Sequence, residues 1–174
     1  MQWIRQQAAR PILLILFGLA FVYSQFSIAI ILEAANATEL LLTLQTTFEV
    51  ESFTQRLAQA DAGQLAAIGE HFEWDAYHPI WYGAFSLCLG ALLLNLNGID
   101  SQWNGLLWLA PAMAAADVVE NALHVFMLTG DIEVSAVAVF TAGLSATIKW
   151  MIVGLYSLTM LALIIRWLSL AQRD

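Results

Sequence analysis

LLWLAPAMAAADVVENALHVFMLT, residues 106–129, is the stretch whose reading decides the fold. It is long and apolar enough to cross a bilayer, because about 20 helical residues span a hydrocarbon core about 30 Å thick. Yet from its midpoint onward it carries Asp117, Glu120, Asn121 and His124. An ionisable side chain in hydrocarbon costs several kcal/mol unless it is paired or hydrated, so these groups must face protein or water and mark a candidate site.

The rest of the chain is read outward from there. No residue is charged between Arg10 and Glu33, or between Asp75 and Asp100. A last apolar run from Val134 to Trp167 is interrupted by Lys149, with Arg166 at its far end. Spans are therefore expected at about 11–32, 78–98, 106–129 and 135–167. The predicted fold is all-α: a single-domain, up-down-up-down four-helix transmembrane bundle. The chain of 174 residues is 60% hydrophobic and 11% charged, with a mean hydropathy of +0.72. A water-soluble domain of this size could not hide that much apolar surface.

The first run could instead be a secretory signal, with Ala35-Asn36-Ala37 as a small-residue cleavage site. Its length of about 22 residues exceeds the usual apolar region of such signals, which favours a retained helix. Cys88 is the single cysteine, so an internal disulfide and a cysteine-based zinc site are both excluded. Arg5, Arg10, Arg166 and Arg173 flank the two chain ends. Basic residues near span ends are retained on the cytoplasmic side, so both termini are expected in the cytoplasm of a bacterium with the spans in its inner membrane. The formal net charge of −8 then lies mostly on the external surface and argues against nucleic acid as a partner.

Residues at about 36–74 form the external connection and carry helical periodicity. Leu40, Leu41, Leu44 and Phe48 follow a candidate cap at Thr38, and Phe53, Leu57, Leu65, Ile68 and Phe72 continue around an Ala62-Gly63 break. Two short amphipathic helices are expected here, with aromatics dipping into the membrane interface. The sequon Asn36-Ala37-Thr38 lies too close to a span end to carry weight. Ala138, Ala142 and Ala146, and also Ala112 and Ala116, recur every fourth residue and would allow close helix packing.

Asp117, Glu120, Asn121 and His124 occupy positions i, i+3, i+4 and i+7 and so share one helical face. Thr141, Ser145, Lys149 and Tyr156 make a second such stripe, and Asp75, His78, Tyr82 and Ser86 a third. Tyr23, Ser24 and Ser27 are a weaker counterpart in the first span. Counted from the Gly130 to Ser135 turn, Asp117 and Lys149 both lie about 20 Å down, which pairs them near mid-bilayer. Two carboxylates facing one ammonium should share a proton as a coupled unit, or be balanced by a protonated His124. The same network could simply lock four helices into register.

Zinc is the sharpest cofactor option, because His71, Glu73, Asp75 and His78 precede the second span and His124 could approach them. The spacing fits no standard motif, so no metal ligand is assigned and no cofactor is named. There is no Gly-x-Ser-x-Gly elbow, P-loop, dinucleotide fingerprint or paired histidine set for haems. Trp74, Trp81, Trp103, Trp108 and Trp167 read as interface anchors, and Trp150 as facing lipid or a neighbouring helix.

Asp75, Pro79, Tyr82, Pro111, Asp117, Glu120, Asn121 and Lys149 stand in an order that resembles small four-span bacterial membrane proteins of uncharacterised function. The likeness covers the last two thirds of the chain, and its D-x-x-E-N core is Asp117 to Asn121. It implies that these positions belong together and attaches no activity to them.

The expected function is to bind a lipid-like or small amphipathic molecule in an outer-half pocket. Asp117, Glu120 and Lys149 would be its charged anchor. Asn121, His124, Tyr82, Asp75, Ser145 and His78 would contact the ligand. The alternatives are an intramembrane enzyme using Asp117, Glu120 and Lys149 for acid–base chemistry on a lipid, and a transport or accessory subunit. Expected partners are membrane lipids, with a homo-oligomer or a larger membrane complex as further possibilities.

Overall fold

A computed structural model describes residues 1–172; Arg173, one of the four flanking arginines, lies outside the described residues. The chain is all-α. The helices are α1 (Gln2–Ala8), α2 (Pro11–Ala34), α3 (Thr38–Thr46), α4 (Val50–Gln59), α5 (Ala62–Asp75), α6 (His78–Leu96), α7 (Leu109–Thr129) and α8 (Ala136–Ala171), with a 3-10 segment over Ser101–Trp108 leading into α7. Four of these elements are long and apolar enough to cross a membrane.

Local chemistry sets the boundaries. Pro11 and Pro79 sit in the first turns of α2 and α6, where a missing N–H costs nothing. Ser135 accepts from the Ala138 amide to start α8. Gly130 ends α7 in the left-handed region at φ 80°, a conformation a Cβ would penalise.

Neighbouring spans run antiparallel. Ser24 meets His78 and Arg5 meets Asn95 between the N-terminal helices and α6. Tyr82 meets Asp117 between α6 and α7, and Asp117 meets Lys149 between α7 and α8. The Tyr156 hydroxyl donates to the Ser86 carbonyl at 2.6 Å, bringing α8 against α6 at Gly90, where a Cβ would collide with that hydroxyl. By contrast, α2 and α8 share no extensive contact. Outward faces of both remain apolar and exposed, through Ile12, Ile15, Leu19, Val22 and Phe26 on α2 and Met151, Leu155, Leu158 and Ile165 on α8. Surface of that extent is suited to lipid rather than water.

The connection between α2 and α6 differs from its expected form. It holds three helices, not two. Thr38 is the first residue of α3 and makes no cap. The break falls at Ala60-Asp61, where Asp61 and Gln64 form a reciprocal capping box that starts α5; Ala62 and Gly63 are already helical. Phe53 and Phe72 do not dip into an interface. They are buried with Leu41, Leu44, Ile68, Met127 and Val139 in the largest apolar core, so the connection is a cap built into the bundle. Phe48 lies beyond the end of α3 and packs edge-on against Phe140, 5.7 Å between centroids.

The opposite end carries an element that the sequence reading did not anticipate. α1 folds back so that Arg5 donates to Asn95 Oδ1 at 2.6 Å, the Ile99 carbonyl at 2.9 Å and Asn104 Oδ1 at 2.9 Å. A buried guanidinium satisfied by three acceptors pins the N-terminus to the α6–α7 connection.

Candidate functional site

The three polar stripes converge just below the cap. Lys149 Nζ stands 2.8 Å from Asp117 Oδ1 and 2.6 Å from Glu120 Oε2. The contact to Glu120 is an ion pair whose approach direction falls outside hydrogen-bonding geometry, and Glu120 Oε1 is sealed with no partner. Tyr82 donates to Asp117 Oδ2 at 3.0 Å and lies 3.2 Å from the Met113 carbonyl. Asp117 is thus held on both oxygens, by groups from α6 and α8.

A second knot adjoins the first. Asn121 Nδ2 donates to Asp75 Oδ2 at 2.9 Å, and His71 Nε2 lies 3.4 Å from the same oxygen, too poorly aligned to bond. Burial, and then the negative charge of Asp117, push Asp75 up to about 7, although Lys149 and Asn121 pull the other way. Burial, reinforced by Lys149, takes His71 down to about 4. The His71–Asp75 contact at neutral pH is therefore between a neutral imidazole and a half-ionised carboxyl, not a full ion pair.

His78 takes part through α2. Ser24 Oγ gives its one proton to the Phe21 carbonyl at 3.0 Å and lies 2.8 Å from His78 Nδ1. Nδ1 must then be the donor in that contact, which leaves Nε2 of the neutral ring as an acceptor.

Two expected ligand contacts lie elsewhere. His124 is 1% exposed and spans two backbone carbonyls, Glu120 at 2.9 Å and Leu44 at 3.2 Å, between Phe53 and Phe72. It ties α7 to α3 instead of facing a ligand, because a seven-residue advance along α7 carries it up into the cap. Ser145 is half-buried and outside the cluster. Of its stripe, Lys149 and Tyr156 are buried, while Thr141 is half-buried like Ser145.

The depth of the pair can be set against the cap. α8 has 36 residues and is about 54 Å long, well beyond a hydrocarbon core of about 30 Å. Its first turns stand beside the cap, where Gly143 lies under the Thr47 backbone. Asp117 lies only about 10 Å below His124. The pair consequently sits within two turns of the cap, while about 27 Å of helix separates Lys149 from Trp167.

Beside this cluster runs a cavity of about 570 Å³ between α2, α6 and α8, roofed by Leu41, Leu42 and Gln45 of α3. Asp75, His78, Tyr82, Asp117 and Lys149 line its cap end. Leu89, Val153, Met160, Leu161 and Ile164 carry it away as an apolar channel. Glu120, Asn121, His124 and Ser145 are not on its wall. Trp150, expected to face lipid or a neighbouring helix, is half on the outside and half on the cavity rim, 5.3 Å from the ammonium. The sequence reading missed Gln45, which is 5% exposed; a glutamine one turn after Leu41 on a buried face was its signal.

Among the described residues, no three His, Cys, Asp or Glu side chains are arranged to hold a metal ion. Comparison with protein-family models, curated proteins and solved structures finds no match to this chain.

Proposed function

We propose that this integral membrane protein binds an amphipathic lipid in the cavity between α2 and α8. The observation that carries the reading is the division of one cavity of about 570 Å³ into a polar cap end and an apolar channel. A lipid has that same polarity along its length. The lack of extensive contact between α2 and α8 supports lateral access from the bilayer, so the ligand need never cross water. Gathering of Arg5, Arg10 and Arg166 toward one end supports cytoplasmic termini in a bacterial inner membrane, with the cap outside. The acid–base reading has less support, since Glu120 is sealed from the cavity.

Native mass spectrometry of gently solubilised protein tests the proposal. Wild type should retain a lipid. Leu161→Trp, which fills the channel far from the charges, should lose it while unfolding at the wild-type temperature. An empty wild type, or a Leu161→Trp variant that keeps its occupant, overturns the reading.

A further inference from the structure

The polar end of the cavity has a chemical bias that bears on which lipid fits, an inference resting on the lipid-binding proposal above. Its single cation is already engaged: Lys149 contacts both Asp117 and Glu120, and no arginine lines the cavity. The open valences there include three acceptors on buried side chains, with the Gln45 amide offering N–H donors besides. Asp75, His78 and Gln45 are 5%, 8% and 5% exposed, and all three line the cavity. Asp75 keeps one oxygen, Oδ1, beyond its bond from Asn121. His78 keeps Nε2 after giving Nδ1–H to Ser24. The Gln45 side chain takes no protein hydrogen bond, and neither it, Asp75 Oδ1 nor His78 Nε2 is sealed by packing.

We infer that the headgroup bound beneath the cap is a primary ammonium, donated to by no protein group and held by Asp75, His78 and Gln45. An ammonium brings three N–H donors to acceptors on three different helices. It also adds a second positive charge where Asp75, Asp117 and Glu120 outnumber Lys149. A phosphate or carboxylate headgroup would stand beside buried carboxylates with no free cation to meet it. A hydroxyl would bring one donor and no charge. From Lys149 to Ile164 the channel follows about 22 Å of α8, a length suited to a long alkyl chain.

Three chain-matched probes separate these headgroups: octadecylamine, octadecanol and stearate, added to delipidated full-length protein at mildly alkaline pH and read by native mass spectrometry. Octadecylamine should be retained at least tenfold better than octadecanol, with stearate lost. Asp75→Asn should remove most of that preference, and Gln45→Leu should weaken it without touching a charge. Asp131→Asn, an exposed carboxylate in the α7–α8 turn, should change nothing. Equal retention of amine and alcohol, retention of stearate, or an Asp75→Asn variant that folds and still prefers the amine overturns the ammonium assignment while leaving a lipid site. Failure of all three probes beside a wild type that keeps a native lipid overturns the assignment alone; failure in a wild type that keeps none removes the lipid reading with it.

Discussion

Lys149 Nζ lies 2.8 Å from Asp117 Oδ1, closing an ion pair between α8 and α7 inside the bundle. Both side chains are buried, so the pair is not screened by water as a surface salt bridge would be. Its geometry also brings Glu120 onto the same ammonium.

Removing the ammonium should therefore be costly. Lys149→Met leaves two carboxyls facing each other and is expected to destabilise the protein by about 3–5 kcal/mol. Adding Asp117→Asn and Glu120→Gln to it should recover much of that loss, because the uncompensated charge is gone. Thermal unfolding of the single and triple variants in one detergent measures this. A single variant as stable as wild type would mean that the pair contributes nothing.

Stability against pH should separate His71 from Asp75. The Asp75 carboxyl rises from its ordinary 3.8 to about 7, so its contribution is complete below pH 3.8 and is lost as pH climbs through 7. His71 falls from 6.5 to about 4; its contribution is complete above pH 6.5 and is lost as pH drops through 4. In wild type the two slopes oppose each other across the interval they share. Asp75→Asn should leave stability rising with pH over that interval, and His71→Gln should leave it falling. Parallel profiles for the two variants would contradict both assignments.

His124 should act on the cap and not on the ligand. Carbonyl oxygens only accept and a neutral imidazole carries one N–H, so the ring donates to the Leu44 or the Glu120 carbonyl and not to both at once. The Glu120 carbonyl already serves the α7 ladder, so His124→Leu strands the Leu44 carbonyl and should cost about 1–3 kcal/mol. Hydrogen exchange in α3 should quicken, while lipid retention stays within a factor of a few. Unchanged exchange in α3 would show that the Leu44 bond does not hold the cap.

Gly90 offers a test of packing away from every charge. Gly90→Ala should cost about 1–3 kcal/mol by overpacking against Tyr156. The same change in a Tyr156→Phe background should cost less, since the obstructing hydroxyl is absent. Additive losses in a thermal unfolding cycle would argue that the two residues are not in contact.

Much of this arrangement was legible in the chain. Two charge-free runs, and two apolar runs broken by the Asp117 cluster and by Lys149, located the four long apolar helices, because length against bilayer thickness is a one-dimensional problem. Counting residues from the Gly130 turn paired Asp117 with Lys149, because helices joined by a short turn share register. Positions that depend on rotation or on another element were not legible. His124 obeys the same spacing as Asp117 and Glu120, yet its neighbour is Leu44, eighty residues away. The break between α3 and α4 at Thr47-Phe48-Glu49 has neither glycine nor proline to announce it. Arg5 read as a flanking charge because its acceptors, Asn95 and Asn104, are brought to it only by folding.

On the lipid reading proposed above, the sparse contact between α2 and α8 leaves part of the bundle wall to whichever hydrocarbon chains lie alongside. The surroundings then become part of the packing: chain length and saturation decide how well the channel from Lys149 to Ile164 is filled. A cell that alters its fatty acids would retune this protein without changing a residue of it.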